Sequence, residues 1–315
     1  MFAICIEASH QRGMGHFYRA LNLIAYLDVQ QQSFVVLIND HAKSKAMLEK
    51  KNIPFEVVAL GDFSSAWEVR LVEQYGITVW INDRLDTNIL HARWIKQSGA
   101  KLVTFDDRGG GASLVDMQIA GLAFDDAEPL QGVKILRGVN YLILNPEIER
   151  FKRLRMSVEH IVVTMGGSDT YGVTIKVVEI LKKIGKAATI IIGPGFEHLE
   201  SLQAVMTPAF LIKTEVPSLI EEFQHYDLVI TAGGITPFEA AASGLPCIII
   251  ASESFEVLIG LFLQQMGAAQ YAGHFSDIDE EVFSQSFNIE IMSRAGMSQL
   301  TTRGVENIYH ELALL

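Results

Sequence analysis

The stretch "IVVTMGGSDTYGVTIKVVEIL", residues 161–181, reads as a strand, a glycine turn and a helix in immediate succession. Its opening Ile and Val run is continuous rather than alternating. That pattern marks a strand buried on both faces, as in a parallel sheet covered by helices. The same succession opens the chain: "FAICIEA" (2–8), the turn "SHQRGMG" (9–15), then the helical "FYRALNLIAYL" (17–27). Working outward, "SFVVLIN" (33–39), "FEVVAL" (55–60), "TVWIND" (78–83), "KLVTFDD" (101–107), "MQIAGLA" (117–123) and "NYLILNP" (140–146) read as further strands of the first half. "AATIIIG" (187–193), "AFLIKT" (209–214), "DLVITAGG" (227–234) and "PCIIIA" (246–251) are those of the second. Helical patterns such as "SKAMLEKKN" (44–52) separate them. The expectation is an α/β protein of two doubly wound parallel-sheet domains.

A length of 315 residues suits two domains of about 150 residues each. The charge cluster "EIERFKRLRMSVEH" (147–160) sets the expected boundary near 150, giving domains 1–150 and 151–315. Apolar residues make up 49% of the chain, enough for well-packed cores. A net charge of −12 disfavours a nucleic-acid partner, which needs a basic face. It does not disfavour a small anion, because N–H groups at helix starts bind phosphate without net positive charge. Cys5 and Cys247 sit in apolar strands and read as buried thiols of a reducing compartment. Glu7 interrupts the first apolar run, so no secretory leader is read, and the expected location is the cytoplasm. The uncharged stretch from 257 to 275 is broken by glutamines and glycines. It makes a poor membrane span, though "VLIGLFL" leaves room for a peripheral contact. Nothing in the residues fixes an oligomeric state.

Three strand-to-helix turns carry the candidate chemistry: "EASHQRGMGHF" (7–17), "TMGGSDTYGVT" (164–174) and "TAGGITPFEAA" (231–241). Glycine lets a ligand approach the backbone closely, and the helix behind points free N–H groups at the gap. Together such turns suit a diphosphate. None has the Gly-x-Gly-x-x-Gly or Walker spacing, so a nicotinamide cofactor or an ATP-driven motor is disfavoured. No zinc spacing and no serine-hydrolase elbow occurs, and no cofactor or metal is expected.

The stretches "GMGHFYRAL", "TFDD", "YLILNPE", "IVVTMGGSDTYGVT" and "TAGGITPFEAAASGLP", in that order, resemble the UDP-2,4-diacetamido-2,4,6-trideoxy-β-L-altropyranose hydrolases of pseudaminic acid biosynthesis. That family is similar to the lipid II-forming N-acetylglucosaminyltransferase, and both have the GT-B fold. The resemblance covers about residues 3–270. It implies two Rossmann-like domains facing a cleft, with the final helix "TTRGVENIYHELALL" crossing back to the first domain. It maps the catalytic histidine onto His16 and the ribose-holding glutamate onto Glu239. It sets Gly233, Gly234 and Thr236 against the diphosphate, and Gly166, Gly167 and Ser168 beside the nucleotide. Where the family carries an Asn-Gln pair facing the sugar, this chain has Phe255 and Glu256.

The residues add their own readings. His16 follows Gly13 and Gly15, and its ordinary pKa near 6.5 suits a base that activates water. Glu239 can accept two ribose hydroxyls or simply favour its helix start. Asp106 and Asp107, and Asn82 and Asp83, end strands. They fit sugar hydroxyls, orientation of His16, or solvated turns. Arg19 reads as an exposed helix arginine. The function expected is release of UDP and a free amino or deoxy sugar in surface-polysaccharide synthesis. Glycosyl transfer on the same fold, or nucleotide-sugar binding without turnover, stand as alternatives.

Overall fold

The computed structural model describes residues 1–8, 15–84, 86–123, 129–214 and 216–315, and they form two compact units. The first contains Met1–Ile143 and Arg303–Leu315, the second Leu144–Thr302. The division falls at Ile143/Leu144, a few residues before the boundary expected near 150. The charged segment 147–160 lies wholly inside the second unit.

The first unit runs β1 (Phe2–Ile6), α1 (Gly15–Val29), β2 (Phe34–Ile38), α2 (Ala42–Lys50), β3 (Phe55–Val57), α3 (Trp67–Tyr75), β4 (Val79–Asp83), α4 (Ile89–Gln97), β5 (Lys101–Phe105), β6 (Met117–Ala120) and β7 (Lys134–Arg137). The strands form one parallel sheet in the order β3-β2-β1-β4-β5-β6-β7. The order reverses at β1/β4, the switch point where doubly wound sheets open a crevice at their carboxyl ends. Each strand buries alternate residues on opposite faces, which explains the continuous apolar runs. Ile4, Ile6, Ile81 and Val103 pack against Phe17, Leu23, Ile24 and Leu27 of α1. Ala3, Cys5, Trp80 and Leu102 pack on the other face against Trp67, Leu71, Ala92 and Ile95 of α3 and α4. Each such aliphatic side chain contributes about 1.5–3 kcal/mol of burial.

Two sequence expectations fail here. "NYLILNP" forms no strand; Leu142, Ile143 and Leu144 are buried as the chain leaves the first unit, outside any ladder. The last strand is instead β7, "KILR", whose half-polar pattern suits a sheet edge and hid it from a search for apolar runs.

The second unit comprises α5 (Ile148–Phe151), β8 (Ile161–Thr164), α6 (Val173–Lys183), β9 (Ala188–Ile192), α7 (Leu199–Val205), β10 (Phe210–Thr214), α8 (Leu219–Phe223), β11 (Leu228–Ala232), α9 (Thr236–Ala242), β12 (Cys247–Ala251), α10 (Ser254–Gln265), β13 (Ala269–His274), α11 (Glu281–Ser284) and α12 (Ile289–Gln299). Its parallel sheet has the order β10-β9-β8-β11-β12-β13, with the switch at β8/β11. β13, "AQYAGH", is too polar to read as a buried strand; it is an edge. The final helix α13 (Gly304–Leu312) belongs to the first unit, where Ile308 and Leu312 join the α1 face of the core. Both cysteines are free and buried. Among the described residues no helix is long and apolar enough to cross a membrane.

Candidate functional site

At the carboxyl edge of the first sheet, α1 brings two polar side chains over the ends of β4 and β5. The buried stripe Phe17, Ala20, Leu23, Ile24 and Leu27 fixes the helix on the sheet. His16 and Arg19, three residues apart, then lie together on its flank. His16 Nδ1 lies 2.6 Å from Asp83 Oδ1. Arg19 grips the same carboxylate with two bonds, Nε to Oδ2 at 2.9 Å and Nη2 to Oδ1 at 2.6 Å. Its Nη1 donates to Asp106 Oδ2 at 2.5 Å, and its guanidinium lies over the Phe105 ring, 4.6 Å from the centroid. Arg19 is thus no exposed helix arginine: its side chain is only 10% exposed and joins two strand ends.

Charge balance follows from this geometry. Burial alone would raise the Asp83 carboxyl, but Arg19 and His16 overturn that and leave it at about 2. Burial would likewise discharge Arg19, yet Asp83 and Asp106 hold its pKa above the usual value. Asp83 is therefore an anion and can only accept. Arg19 Nη2, 3.0 Å from Nδ1, can only donate. Nδ1 thus faces an acceptor at 2.6 Å and a donor at 3.0 Å; the shorter contact, to Asp83, is met by the tautomer with hydrogen on Nδ1, in which the lone pair lies on Nε2. Asp106 holds its place with φ of 46°, a left-handed conformation that costs an aspartate little more than about 1 kcal/mol.

Asp107 is separate from this group. It is buried and accepts the N–H groups of Thr87 and Gly109, both at 2.9 Å, so it shapes the loops. Gly15 starts α1, exposed, and a Cβ there would meet no atom within 4 Å among the described residues. Gly13 lies outside the described residues. Glu7, Asn39, Val57, Leu60, Asp62 and Arg84 line a recess of about 540 Å³ past the ends of β1, β2 and β3.

In the second unit the glycine turns differ from one another. At the turn after β8, Gly166 adopts φ of 79°, Gly167 is exposed and Ser168 half-buried. Asp169 then turns into α6 and accepts the N–H groups of Val173 and Thr174 at 2.8 and 2.9 Å. The α6 start is thus filled by the chain's own carboxylate. α9 begins differently: Thr236 is its first residue, Pro237 fixes the backbone, and no side chain caps it among the described residues. Gly233 is required by packing, because a Cβ there would lie 2.5 Å from Glu256 Cβ; Gly234 faces open space.

Glu239, one turn into α9, has a single described bond, from the Asn145 N–H at 3.4 Å. Burial pushes its carboxyl up to about 7, and that bond offsets only part of the rise. The α9 C-terminus is bolted down by buried Arg155, which donates to the Ser243, Phe223 and Tyr226 carbonyls. Burial beside Arg153 lowers the Arg155 pKa to about 9.

Glu256 does not face outward as a second sugar-reading side chain would. It is 8% exposed and accepts the Ser252 and Glu253 N–H groups at 2.6 and 3.2 Å, closing a capping box at the start of α10. Burial raises its carboxyl all the same. Phe255, next to it, is 49% exposed. Tyr171 stacks on Phe275, with centroids 4.9 Å apart, and donates to Glu253 Oε1 at 2.7 Å; neither residue stood out in the sequence. Among the described residues no group of three His, Cys, Asp or Glu is placed to hold a metal ion.

No protein-family model matches the chain. It is 23% identical over 281 residues to the spore coat polysaccharide biosynthesis protein SpsG of Bacillus subtilis, covering 84% of this chain and 81% of that one. It is 24% identical over 270 residues to the uncharacterized protein MJ1062 of Methanocaldococcus jannaschii, covering 79% of this chain; the match spans 55% of that relative's length. Among solved structures it is similar to MurG of Acinetobacter baumannii, with a TM-score of 0.72 at 14% identity over 100% of this chain and 99% of the other. It is similar also to Anabaena Alr3699/HepE in complex with UDP, with a TM-score of 0.69 at 14% identity over the whole of both chains. Two Rossmann-like units with parallel sheets of seven and six strands, matched end to end by these structures, give the chain the GT-B fold.

Proposed function

We propose that the protein is a nucleotide-sugar hydrolase that splits a UDP-sugar with His16 as general base. Nε2 takes a proton from water as the water oxygen bonds to the anomeric carbon. The bond from that carbon to the β-phosphate oxygen breaks, and its electron pair leaves with UDP. The observation that carries this reading is the 2.6 Å Asp83 contact, which is met with hydrogen on Nδ1 and so supports a lone pair on Nε2. Arg19 already neutralises Asp83, so Asp83 orients the ring more than it strengthens the base. Glu239 accepts the ribose hydroxyls, while Gly234, Thr236 and the uncapped α9 start receive the diphosphate. Support comes from Glu239's sparse bonding, from the UDP-bound Anabaena structure of like fold, and from the likeness to SpsG, a polysaccharide biosynthesis protein. Asp106, linked to Arg19, accepts a sugar hydroxyl. Phe255 presents a ring, and Glu256 is spent on its own helix. The sugar read there is therefore one with an apolar substituent, such as an acetamido or deoxy sugar.

A second reading, glycosyl transfer, is favoured by the recess of about 540 Å³ lined by Arg84, the residue after Asp83, which has room for a hydroxylated acceptor instead of water. One assay separates the two. The protein is incubated with a panel of UDP-sugars, with and without sugar or lipid acceptors. UDP and free sugar without acceptor support hydrolysis. UDP release only with acceptor supports transfer, and binding without turnover overturns both.

A further inference from the structure

Beneath Asp83, on the opposite face of the sheet, lies a polar chain sealed from water. Glu68 of α3 and His91 of α4 are both 0% exposed, with Glu68 Oε1 and His91 Nδ1 2.6 Å apart. The other ring nitrogen, Nε2, lies 3.2 Å from Asn82 Oδ1. Asn82 Oδ1 also accepts Trp80 Nε1–H at 3.0 Å, and Asn82 Nδ2 meets Thr87 Oγ1 at 3.1 Å. Thr87 N–H then reaches Asp107, so the chain ties the loop after β4 to the loop after β5. Asp83, the last residue of β4, and Asp106, the first after β5, adjoin those two loops and are the carboxylates that Arg19 bridges.

The donors fix the protons. An indole N–H can only donate, so Trp80 holds the Asn82 amide with its oxygen towards Trp80 and His91. His91 Nε2 faces that same oxygen and must therefore carry hydrogen. The short contact from Nδ1 to Glu68 then needs a hydrogen too, whether it sits on nitrogen or on oxygen. A neutral imidazole beside an ionised carboxylate supplies only one hydrogen for these two contacts. Burial points the same way. A lone carboxylate sealed among Trp67, Trp80 and Leu71 would be costly, and Glu68 Oε2 has no hydrogen-bond partner among the described residues.

We infer that Glu68 and His91 share one extra proton at neutral pH, forming an electrically neutral buried pair that positions Asn82 and, through it, Asp83 and His16. Among the described residues the other charged or titratable groups acting on the pair are Arg84, Asp107 and Cys5. Glu68 and His91 are positioning residues: they touch no substrate and act through β4. Only the consequence for His16 rests on its reading as the base; the proton count stands without any substrate.

The linkage has a definite sign. Above about pH 6.5 an unfolded chain leaves His91 neutral and Glu68 ionised, one proton short of the folded pair. Folding then takes up a proton, and the pair's contribution is lost as pH rises. Glu68→Gln removes this dependence, because the Gln amide can donate to bare Nδ1 and every bond of the chain survives. Urea unfolding of both proteins between about pH 6.5 and 8.5 tests it. The wild-type folding constant should fall about tenfold per pH unit relative to Glu68→Gln. Parallel curves would overturn the shared proton. Nitrogen-15 NMR of the histidines checks the rest without substrate. At pH 7.5 His91 Nε2 should be protonated, and a bare Nε2 overturns the donor assignment. His16 should keep its Nδ1–H signal in Glu68→Gln and lose or shift it in Glu68→Leu. If folded Glu68→Leu left that signal unmoved, the positioning role would fall.

Discussion

Asp83 and Glu239 are both carboxylates near the carboxyl ends of strands, one in each unit, and they are held in opposite ways. Asp83 is buried, gripped twice by Arg19 and once by His16, and kept ionised with a pKa of about 2. Glu239 is half-buried, has one long N–H bond, and rises to about 7. Burial acts upward on both; only the partners differ. A carboxylate whose charge is met inside the chain can do one thing, which is to fix its neighbours. A carboxylate left short of partners is a place where a ligand's hydroxyls can complete the set. The glycine turns repeat the contrast. Asp169 fills the start of α6, whereas the start of α9 is left uncapped among the described residues.

The largest effect tests the paired side. His16→Asn should lower UDP release from a confirmed UDP-sugar by about 10²- to 10⁴-fold, with UDP affinity by calorimetry unchanged. Near-normal turnover would mean that the Asp83-oriented ring is a structural device, and the contrast would lose its functional half. Next in size, Arg19→Met should cost about 3–5 kcal/mol in urea unfolding, since it strands buried Asp83 and leaves Asp106 unanswered. A loss below about 1 kcal/mol would show that Asp83 does not depend on Arg19 for its charge.

How much of this could be read beforehand differs between fold and site. Continuous Ile and Val runs disclosed strands such as β1, β8 and β12, because two-sided burial leaves no room for polar alternation. Edge strands β7 and β13 were hidden, because one free edge and a part-wet face tolerate Lys, Arg, Gln and His. "NYLILNP" misled for the converse reason: a segment leaving the sheet can be as buried as a strand. The site was less legible still. Arg19 looks like any helix arginine, because its partners Asp83 and Asp106 lie 64 and 87 residues away and only the fold unites them. Glu256 reads in the sequence as open to a ligand, because a capping box and a ligand-facing acid share one sequence position; in the structure its carboxylate accepts the N–H groups of Ser252 and Glu253. His91 is legible only as a histidine on a helix; its partner Glu68 comes from another one.

On the unpaired side, Glu239→Ala should weaken UDP binding by about 1.5–3 kcal/mol, the range for hydrogen bonds to a charged group. Turnover at saturating substrate should change far less than in His16→Asn. Calorimetry with UDP and with uracil separates the contributions, since uracil lacks the ribose diol and should bind both proteins alike. Equal loss of uracil affinity would show that Glu239 supports the fold of the pocket rather than the ribose.

The smallest effect concerns Glu239 in the absence of ligand. Its folded pKa of about 7 lies above the ordinary glutamate value of 4.5, so the folded protein holds this proton more tightly than the unfolded chain. Its contribution is therefore fully present below about pH 4.5. It declines as pH rises towards 7, and the loss is complete above that. Glu239→Gln has no such proton to lose. Across that window its unfolding free energy should gain on the wild type, by about 1–2 kcal/mol in total once partial solvation of the carboxyl is allowed for. UDP binding should move in the opposite sense. The ribose hydroxyls donate to an ionised carboxylate, so the ratio of wild-type to Glu239→Gln affinity should rise with pH through about 7, the second ionisation of UDP's own terminal phosphate at about pH 6 being common to both proteins. Unfolding curves and UDP titrations at pH 5, 6, 7 and 8 measure both. If the two proteins ran parallel in stability and in UDP affinity, Glu239 would already be ionised and satisfied within the chain. It would then be a second Asp83, and the distinction between the two carboxylates would be lost.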